Sequence, residues 1–237
     1  MMPKRDVPTM KSEARDTTGL LVYLQQGWQT ALNLVFPLGC AGCGRADTAW
    51  CAGCDAELQA TPLVLIERAW LGGVPGSVAA TGAHVGDLQT AVQALKYDQV
   101  RALAAPLGGR MAHALALLGW SPEVVIPVPL HRTRHSERGY NQARLLAEAV
   151  AWQAGLTCMP EALLRTRSTR SQVGLNHDER VLNVQNAFIA DSSQVYGKVV
   201  LIVDDVYTTG ATLSVCAAAV LAAGGSQVYG LTVTAAG

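Results

Sequence analysis

The sequence has no surplus of charge: 18 lysines and arginines face 18 aspartates and glutamates, and charged residues make up only 15% of the chain. Bulk electrostatics therefore make no case for a nucleic-acid or anionic-membrane binder. Aromatic residues are scarce too, at 5%, with two phenylalanines in 237 residues. Alanine and glycine are abundant instead, which suits helices packed closely on a sheet. No apolar run reaches the length of a membrane span. Apolar residues at Leu20, Leu21, Leu24, Trp28, Ala31, Leu32 and Val35 fit one face of an amphipathic helix. Gln25, Gln26, Gln29 and Asn33 break the run that an export signal requires. The expectation is a cytoplasmic chain. Its residues 1–18, polar and holding Pro3 and Pro8, are expected to be disordered.

Cysteine is sparse but concentrated. Four of the six cysteines form two C-x-x-C knuckles, Cys40 and Cys43, then Cys51 and Cys54, with seven residues between the knuckles. Four thiolates this close can surround one Zn²⁺ tetrahedrally. Gly42, Gly44 and Gly53 allow the tight turns that aim the sulfurs. A disulfide pair would need an oxidising compartment, which the missing export signal disfavours. A redox dithiol would need one knuckle, whereas two stand here. Four sulfurs close the coordination sphere, so the zinc is expected to be structural. Residues 19–61 thus read as an amphipathic helix plus a zinc ribbon. Cys158 and Cys216 stand alone in apolar contexts and read as small core residues.

From residue 78 to 237 strand and helix patterns alternate, which argues an α/β domain with a parallel sheet covered on both faces. Residues 61–77, rich in proline and glycine, read as a linker or an irregular edge. Residues 78–85 and 123–128 are expected strands. Residues 87–96, capped by Asp87, and 101–118, closed by Gly119, are expected helices. Lys96 suits either a helix C-terminus or an anionic substrate. Residues 131–144 hold Arg132, Arg134, Arg138 and Arg144 against one acid, Glu137, and arginine forks suit phosphate oxygens. A turn at Gly139 precedes a helix that runs through 145–152. Residues 159–164 read as a short strand, and the polar residues 168–176 as a candidate lid over a phosphate site. A helix capped by Asn176 or Asp178 is expected to follow, through 183.

The chain is organised around VVLIVDDVYTTGAT, residues 199–212. Val199 to Val203 read as a buried strand. Asp204 and Asp205 stand at its end, and a polar loop over 206–212 leads to a helix over 213–223. Thr208, Thr209, Gly210, Ala211 and Thr212 offer backbone N–H groups and hydroxyls at the positive end of a helix dipole. The adjacent carboxylates suit ribose hydroxyls or a Mg²⁺-bound ligand. No Gly-Lys-Ser/Thr follows, so the loop is not a P-loop. A last strand is expected over 227–233.

This stretch resembles the 5-phosphoribosyl-1-pyrophosphate (PRPP) motif of type I phosphoribosyltransferases at every position. The whole arrangement resembles the ComF family of phosphoribosyltransferase-like proteins. The resemblance rests on the paired C-x-x-C knuckles, Lys96-Tyr97, VIPVPLHRTRHSERGYNQA, RTRSTRSQVGLNHDERVLNVQNAF and the acidic threonine-rich motif. It covers about residues 34–235. It implies a type I phosphoribosyltransferase fold behind a zinc ribbon, and an association with DNA uptake. Thr208 to Thr212 would hold the 5′-phosphate of Mg²⁺-PRPP, and Asp204 and Asp205 the ribose. Lys96, Arg132, Arg134 and Arg138 would take further phosphate oxygens. Three readings follow: phosphoribosyl transfer to an unassigned acceptor, a PRPP- or nucleotide-binding adaptor without turnover, and a single-stranded-DNA-binding partner of uptake machinery.

Overall fold

A computed structural model describes residues 39–46, 48–70, 76–130, 138–166 and 187–236. The expected disordered N-terminus and first helix lie outside the described residues, as do the candidate lid, the helix capped by Asn176 or Asp178, Arg132 and Arg134.

The expected α/β class is borne out. The strands are β1 (Ile66–Arg68), β2 (Val78–Ala80), β3 (Val124–Pro127), β4 (Thr157–Cys158), β5 (Leu163–Arg165), β6 (Phe188–Ala190), β7 (Val199–Tyr207) and β8 (Gln227–Ala235). The helices are α1 (Ala52–Ala60), α2 (Gly86–Tyr97), α3 (Ala104–Leu118), α4 (Gln142–Ala154), α5 (Ser192–Val195) and α6 (Ala211–Ala222). The main sheet runs β1-β2-β8-β7-β3-β4, parallel except for β1, which pairs antiparallel with β2. β5 and β6 form a separate antiparallel pair. Among the described residues no helix is long and apolar enough to cross a membrane.

The sheet is covered on both faces because β7 is apolar from Val199 to Val203 and β3 is apolar throughout, with period two dividing the side chains between the faces. Leu201, Val203, Leu231 and Val233 face one way, onto Leu88, Val92 and Leu95 of α2, Leu107 and Met111 of α3, and Leu146 and Val150 of α4. Val200, Ile202 and Val228 face the other way, onto Leu213, Cys216, Ala217 and Val220 of α6 and onto Leu163 and Phe188 of the small sheet. Helices α3 and α4 approach closely because Gly108 offers no side chain; a Cβ there would lie 2.4 Å from the Ala149 Cβ.

Several boundaries differ from the sequence expectation. Asp87 does not cap α2: the cap position is Val85, without a side-chain bond, and Asp87 sits in the first turn. Residues 159–164 split at a turn, and only Leu163 and Leu164 lie in a strand, β5. Helix α4 starts earlier than expected, at Gln142, because the Asn141 side chain accepts from the Ala143 N–H. Within residues 61–77, residues 66–68 form the edge strand β1 rather than a free connection. Arg110 of α3 fastens that segment from beneath. Its guanidinium donates to the carbonyls of Thr61 (2.7 Å), Pro62 (2.6 Å) and Thr81 (2.8 Å) and to the Thr81 hydroxyl (3.0 Å). Cys216 is buried as expected, and Cys158 is half-buried.

Candidate functional site

Strand β7 runs past its expected end, through Tyr207, so Asp204 and Asp205 lie within the strand, and Val206 and Tyr207 belong to it rather than to the loop. Their neighbours on β8 are fixed by the ladder: Asp204 lies opposite Thr232, and Val206 opposite Thr234. Period two then separates the two acids. Asp205 shares its face with Leu201 and Val203, toward α2. Asp204 shares its face with Val200 and Ile202, toward α6.

On the first face, Lys96 in the last turn of α2 reaches Asp205, with Nζ 2.8 Å from Oδ1 and the carboxylate 4% exposed. Neither sequence reading of Lys96 included this pairing. The other oxygen, Oδ2, is buried without a hydrogen-bond partner. A buried acceptor without a donor is costly in a folded protein. Asp205 Oδ2 is such an acceptor. The end of α2 is itself held in place: the Tyr140 hydroxyl donates to the Leu95 carbonyl, and the Val100 N–H donates to the Ala94 carbonyl at 3.3 Å.

Asp204 keeps partial access to the cavity, but protein atoms crowd its carboxyl. Burial pushes its pKa up to about 7, and the charge of Asp205 adds to that effect. The Asp205 N–H, which donates to Asp204 Oδ1 at 2.9 Å, and the cations Lys96 and Arg138 oppose it. The folded-state pKa therefore lies above the unfolded one, so the folded protein binds the extra proton between about pH 4 and 7. Stability falls as pH rises through that window, by at most about 1.4 kcal/mol per pH unit from this group. The urea midpoint of the ligand-free protein should decline from pH 5 to pH 7, and Asp204→Asn should flatten the decline. An equal slope in the variant would assign it to other groups.

After Tyr207 the chain turns through Thr208, Thr209 and Gly210 into α6. Gly210 occupies the cap position at φ +77°, where a Cβ would meet the Tyr207 hydroxyl at 2.5 Å. Both the backbone angle and the tyrosine ring thus require glycine here. Thr209 Oγ1 accepts weakly from the Ala211 N–H, at 3.4 Å.

These elements enclose an open cavity of about 630 Å³ above the C-terminal ends of the strands. Of the sequence-predicted residues, Asp204, Asp205, Thr208, Thr212, Lys96 and Arg138 line it together. Thr209, Gly210 and Ala211 do not line it. Arg138 stands over the Tyr97 ring, 5.3 Å from its centroid, and donates to the Gln142 side-chain oxygen. Sequence reasoning missed His84, Gln99, Gln142 and Arg165 as cavity residues. Arg165 lay in a stretch noted for its arginines and Gln142 in the motif over 125–143, whereas His84 and Gln99 carried no signal in the sequence. His84 Nδ1 is 2.8 Å from the Thr234 hydroxyl. Burial and then Lys96 lower its pKa, against the pull of Asp205, so the ring is neutral at pH 7.

The four-cysteine cluster is real. The Sγ atoms of Cys40, Cys43, Cys51 and Cys54 all lie within 4.8 Å of one another. The Cys40–Cys54 and Cys43–Cys51 pairs are 3.7 and 3.6 Å apart. A tetrahedron with Zn–S bonds of about 2.3 Å has edges of about 3.8 Å, so the set fits zinc. Burial resists ionisation of Cys40, but backbone N–H groups of Cys43, Cys51 and Gly42 outweigh it and bring the thiol down to about 6. Burial pushes Cys54 up, as do the neighbouring sulfurs. Four sulfurs this close could hold a metal ion, and as thiolates they would need a cation among them.

Competence protein F of Haemophilus influenzae is 30% identical to this chain over 194 residues, which are 74% of this chain and 80% of that protein. DNA utilization protein YhgH of Escherichia coli is 34% identical over 146 residues, 60% of this chain and 64% of that protein. Competence protein ComFC of Bacillus subtilis is 35% identical over 101 residues, 43% of this chain and 39% of that protein. Among solved structures, a Bacillus subtilis glutamine PRPP amidotransferase matches at 21% identity and a TM-score of 0.39, over 54% of this chain and 26% of that one. The Mycobacterium tuberculosis orotate phosphoribosyltransferase matches at 19% identity and a TM-score of 0.37, over 75% of this chain and 81% of that one. No family model matches the chain. The extent of the match to competence protein F, together with the paired cysteine knuckles and the acidic threonine-rich strand end, shows that the chain belongs to the ComF family.

Proposed function

We propose that the cavity binds a 5-phosphoribosyl ligand, PRPP with Mg²⁺, and that the protein transfers the phosphoribosyl group to a nitrogen acceptor. One observation carries this reading: the orphaned Oδ2 of Asp205 shares a cavity with the threonine-bearing N-terminus of α6 and with Lys96 and Arg138. A phosphate suits the hydroxyls of Thr208 and Thr212 beside the helix dipole. Ribose hydroxyls suit Asp205 Oδ2 and the Asp204 carboxyl, and the negative charge of Asp205, with that of Asp204 in its ionised form, favours an oxocarbenium-like transition state. The pyrophosphate suits Arg138 and Lys96. In the transfer, the bond from C1 of the ribose to the pyrophosphate oxygen breaks and a C1–N bond forms. The pyrophosphate leaves with the bonding pair, and the acceptor nitrogen gives up one proton. When Mg²⁺ is bound, Asp204 and Asp205 would be the carboxylates available to hold it, and it would supply charge neutralisation for the departing pyrophosphate.

The cysteine set belongs to the same proposal as a structural zinc site, since four thiolates leave no open position. The relatives' names point the biological role toward competence and DNA utilization. Calorimetric titration of Mg²⁺-PRPP into the wild type, and into Asp204→Asn/Asp205→Asn, tests the site. The expected result is micromolar binding lost in the variant. Absence of binding by folded wild type overturns the reading. Binding without pyrophosphate release for any nitrogen acceptor would instead leave the adaptor reading.

A further inference from the structure

The turn that ends α2 carries an oddity. Gln99 has φ +57°, the one positive φ among the described non-glycine residues. L-residues avoid that region because the Cβ crowds the following carbonyl, and a glycine would sit there without strain. Both Gln99 and Tyr97 line the cavity. The Gln99 side chain is exposed, and among the described residues no hydrogen bond ties its amide. Tyr97 is 69% exposed, although it is a large ring set between the helix and the cavity. Arg138 stands over the ring, and its own guanidinium is engaged with Gln142. The turn is not a loose end. Val100 is buried next to it, its N–H bonds back to Ala94, and the Arg101 N–H donates to the Gln99 carbonyl at 2.8 Å.

Two kinds of group line the cavity, with the Arg138 cation standing over the Tyr97 ring. The β7–α6 strand end and Lys96 present charge and hydroxyls, which suit phosphate and ribose. Tyr97 and Gln99 present an exposed aromatic ring and a neutral amide, which can both donate and accept. They match a flat heterocycle, which stacks on the ring and offers N–H and C=O groups at its edge. We infer that Tyr97 and Gln99 form the acceptor subsite, Tyr97 as the stacking surface and Gln99 as the residue that selects among planar nitrogen heterocycles. This rests on the phosphoribosyl reading of the cavity. It also gives the strained backbone a reason: a glycine at 99 would relieve the strain and leave the subsite without its amide.

The test uses the full chain with ribose 5-phosphate and the four nucleoside 5′-monophosphates AMP, GMP, CMP and UMP as probes. The sugar phosphate reports the charged region alone, and the nucleotides add a base. For each protein the quantity is the affinity of a nucleotide divided by that of ribose 5-phosphate. In the wild type at least one ratio should exceed about 10, the gain expected from one stack and one neutral hydrogen bond. Tyr97→Ala should lower the ratios of all bases about equally. Gln99→Gly should lower the preferred base by about 3- to 10-fold and reduce the spread among bases, while melting about 1–3 °C higher. That rise in melting temperature separates a lost contact from a damaged fold. If ribose 5-phosphate binds and every wild-type ratio is near one, the acceptor subsite is overturned and the phosphoribosyl site stands. Ratios that survive both substitutions also overturn it. If ribose 5-phosphate does not bind, both readings fall.

Discussion

Lys96→Met should destabilise the protein by about 3 kcal/mol, whereas Lys96→Met/Asp205→Asn should recover most of that loss and bind no phosphoribosyl ligand. The argument starts from burial. The Asp205 carboxylate is 4% exposed, and among the described residues its ion-pair partner is the Lys96 ammonium at 2.8 Å. Removing one member of such a pair leaves the other as an uncompensated buried charge, which costs more than the pair itself contributes. Removing both leaves neutral groups of similar size. Asp205→Asn alone should be milder for stability, since Lys96 keeps some access to water, its side chain being 20% exposed. Binding should follow a different order. Asp205→Asn removes a charged acceptor for ribose hydroxyls, and a charge-assisted hydrogen bond is worth about 1.5–3 kcal/mol, or roughly 10- to 150-fold in affinity. Urea midpoints and calorimetry with ribose 5-phosphate separate the two orders. A Lys96→Met variant as stable as wild type would show that the ion pair does not form in solution.

Removing the metal from the cysteine cluster should have the second large effect, and it should not stay within the ribbon. Cys51 is both a member of the cluster and the N-cap of α1, where its sulfur accepts from the Cys54 N–H. Helix α1 then carries Leu58 into the main core, 3% exposed, among residues of α2 and α3. If the cluster loosens, α1 loses its cap and Leu58 its position. Uncovering Leu58 alone costs about 2 kcal/mol, which lowers the melting temperature of a chain this size by about 4–8 °C. The purified protein should contain one zinc per chain. Cys40→Ser should lose it, melt lower by at least that amount, and become open to proteolysis within 52–60. A metal-free Cys40→Ser variant with unchanged melting and proteolysis would show that the ribbon does not support the domain. The Arg110 bonds to Thr61 and Pro62 set the limit of the damage, because they fasten the segment after α1 independently of the metal.

The knuckles were legible because metal chemistry is local: two C-x-x-C pairs at short separation bring their sulfurs together almost regardless of the rest of the fold. The strand–acid–threonine–glycine–helix order was legible for a similar reason, since an anion site at a helix N-terminus is built within one turn of chain. Its finer geometry was not. The loop was expected from Val206, but the ladder with β8 holds the chain extended to Tyr207. The β5–β6 pair escaped notice because its strands are three residues each and join positions 163–165 to 188–190, a separation no local pattern encodes. His84 and Gln99 were silent for the same reason: each is an ordinary polar residue until the fold brings it to the cavity wall.

The sequence by itself thus determined the class of the domain, the four-cysteine cluster, and the presence of two acids ahead of a threonine- and glycine-bearing loop, because each is set by periodicity or by spacing within about a dozen residues. Only the tertiary structure decided how those acids differ. The pleat sends Asp205 to the α2 face, where Lys96 neutralises it, and Asp204 to the α6 face, where burial holds its pKa near 7. Two identical neighbours in the chain become an ion-paired carboxylate with one orphaned oxygen and a carboxyl near its titration point. The cause is that adjacent residues of a strand face opposite sides of the sheet, and what covers each side comes from distant parts of the chain.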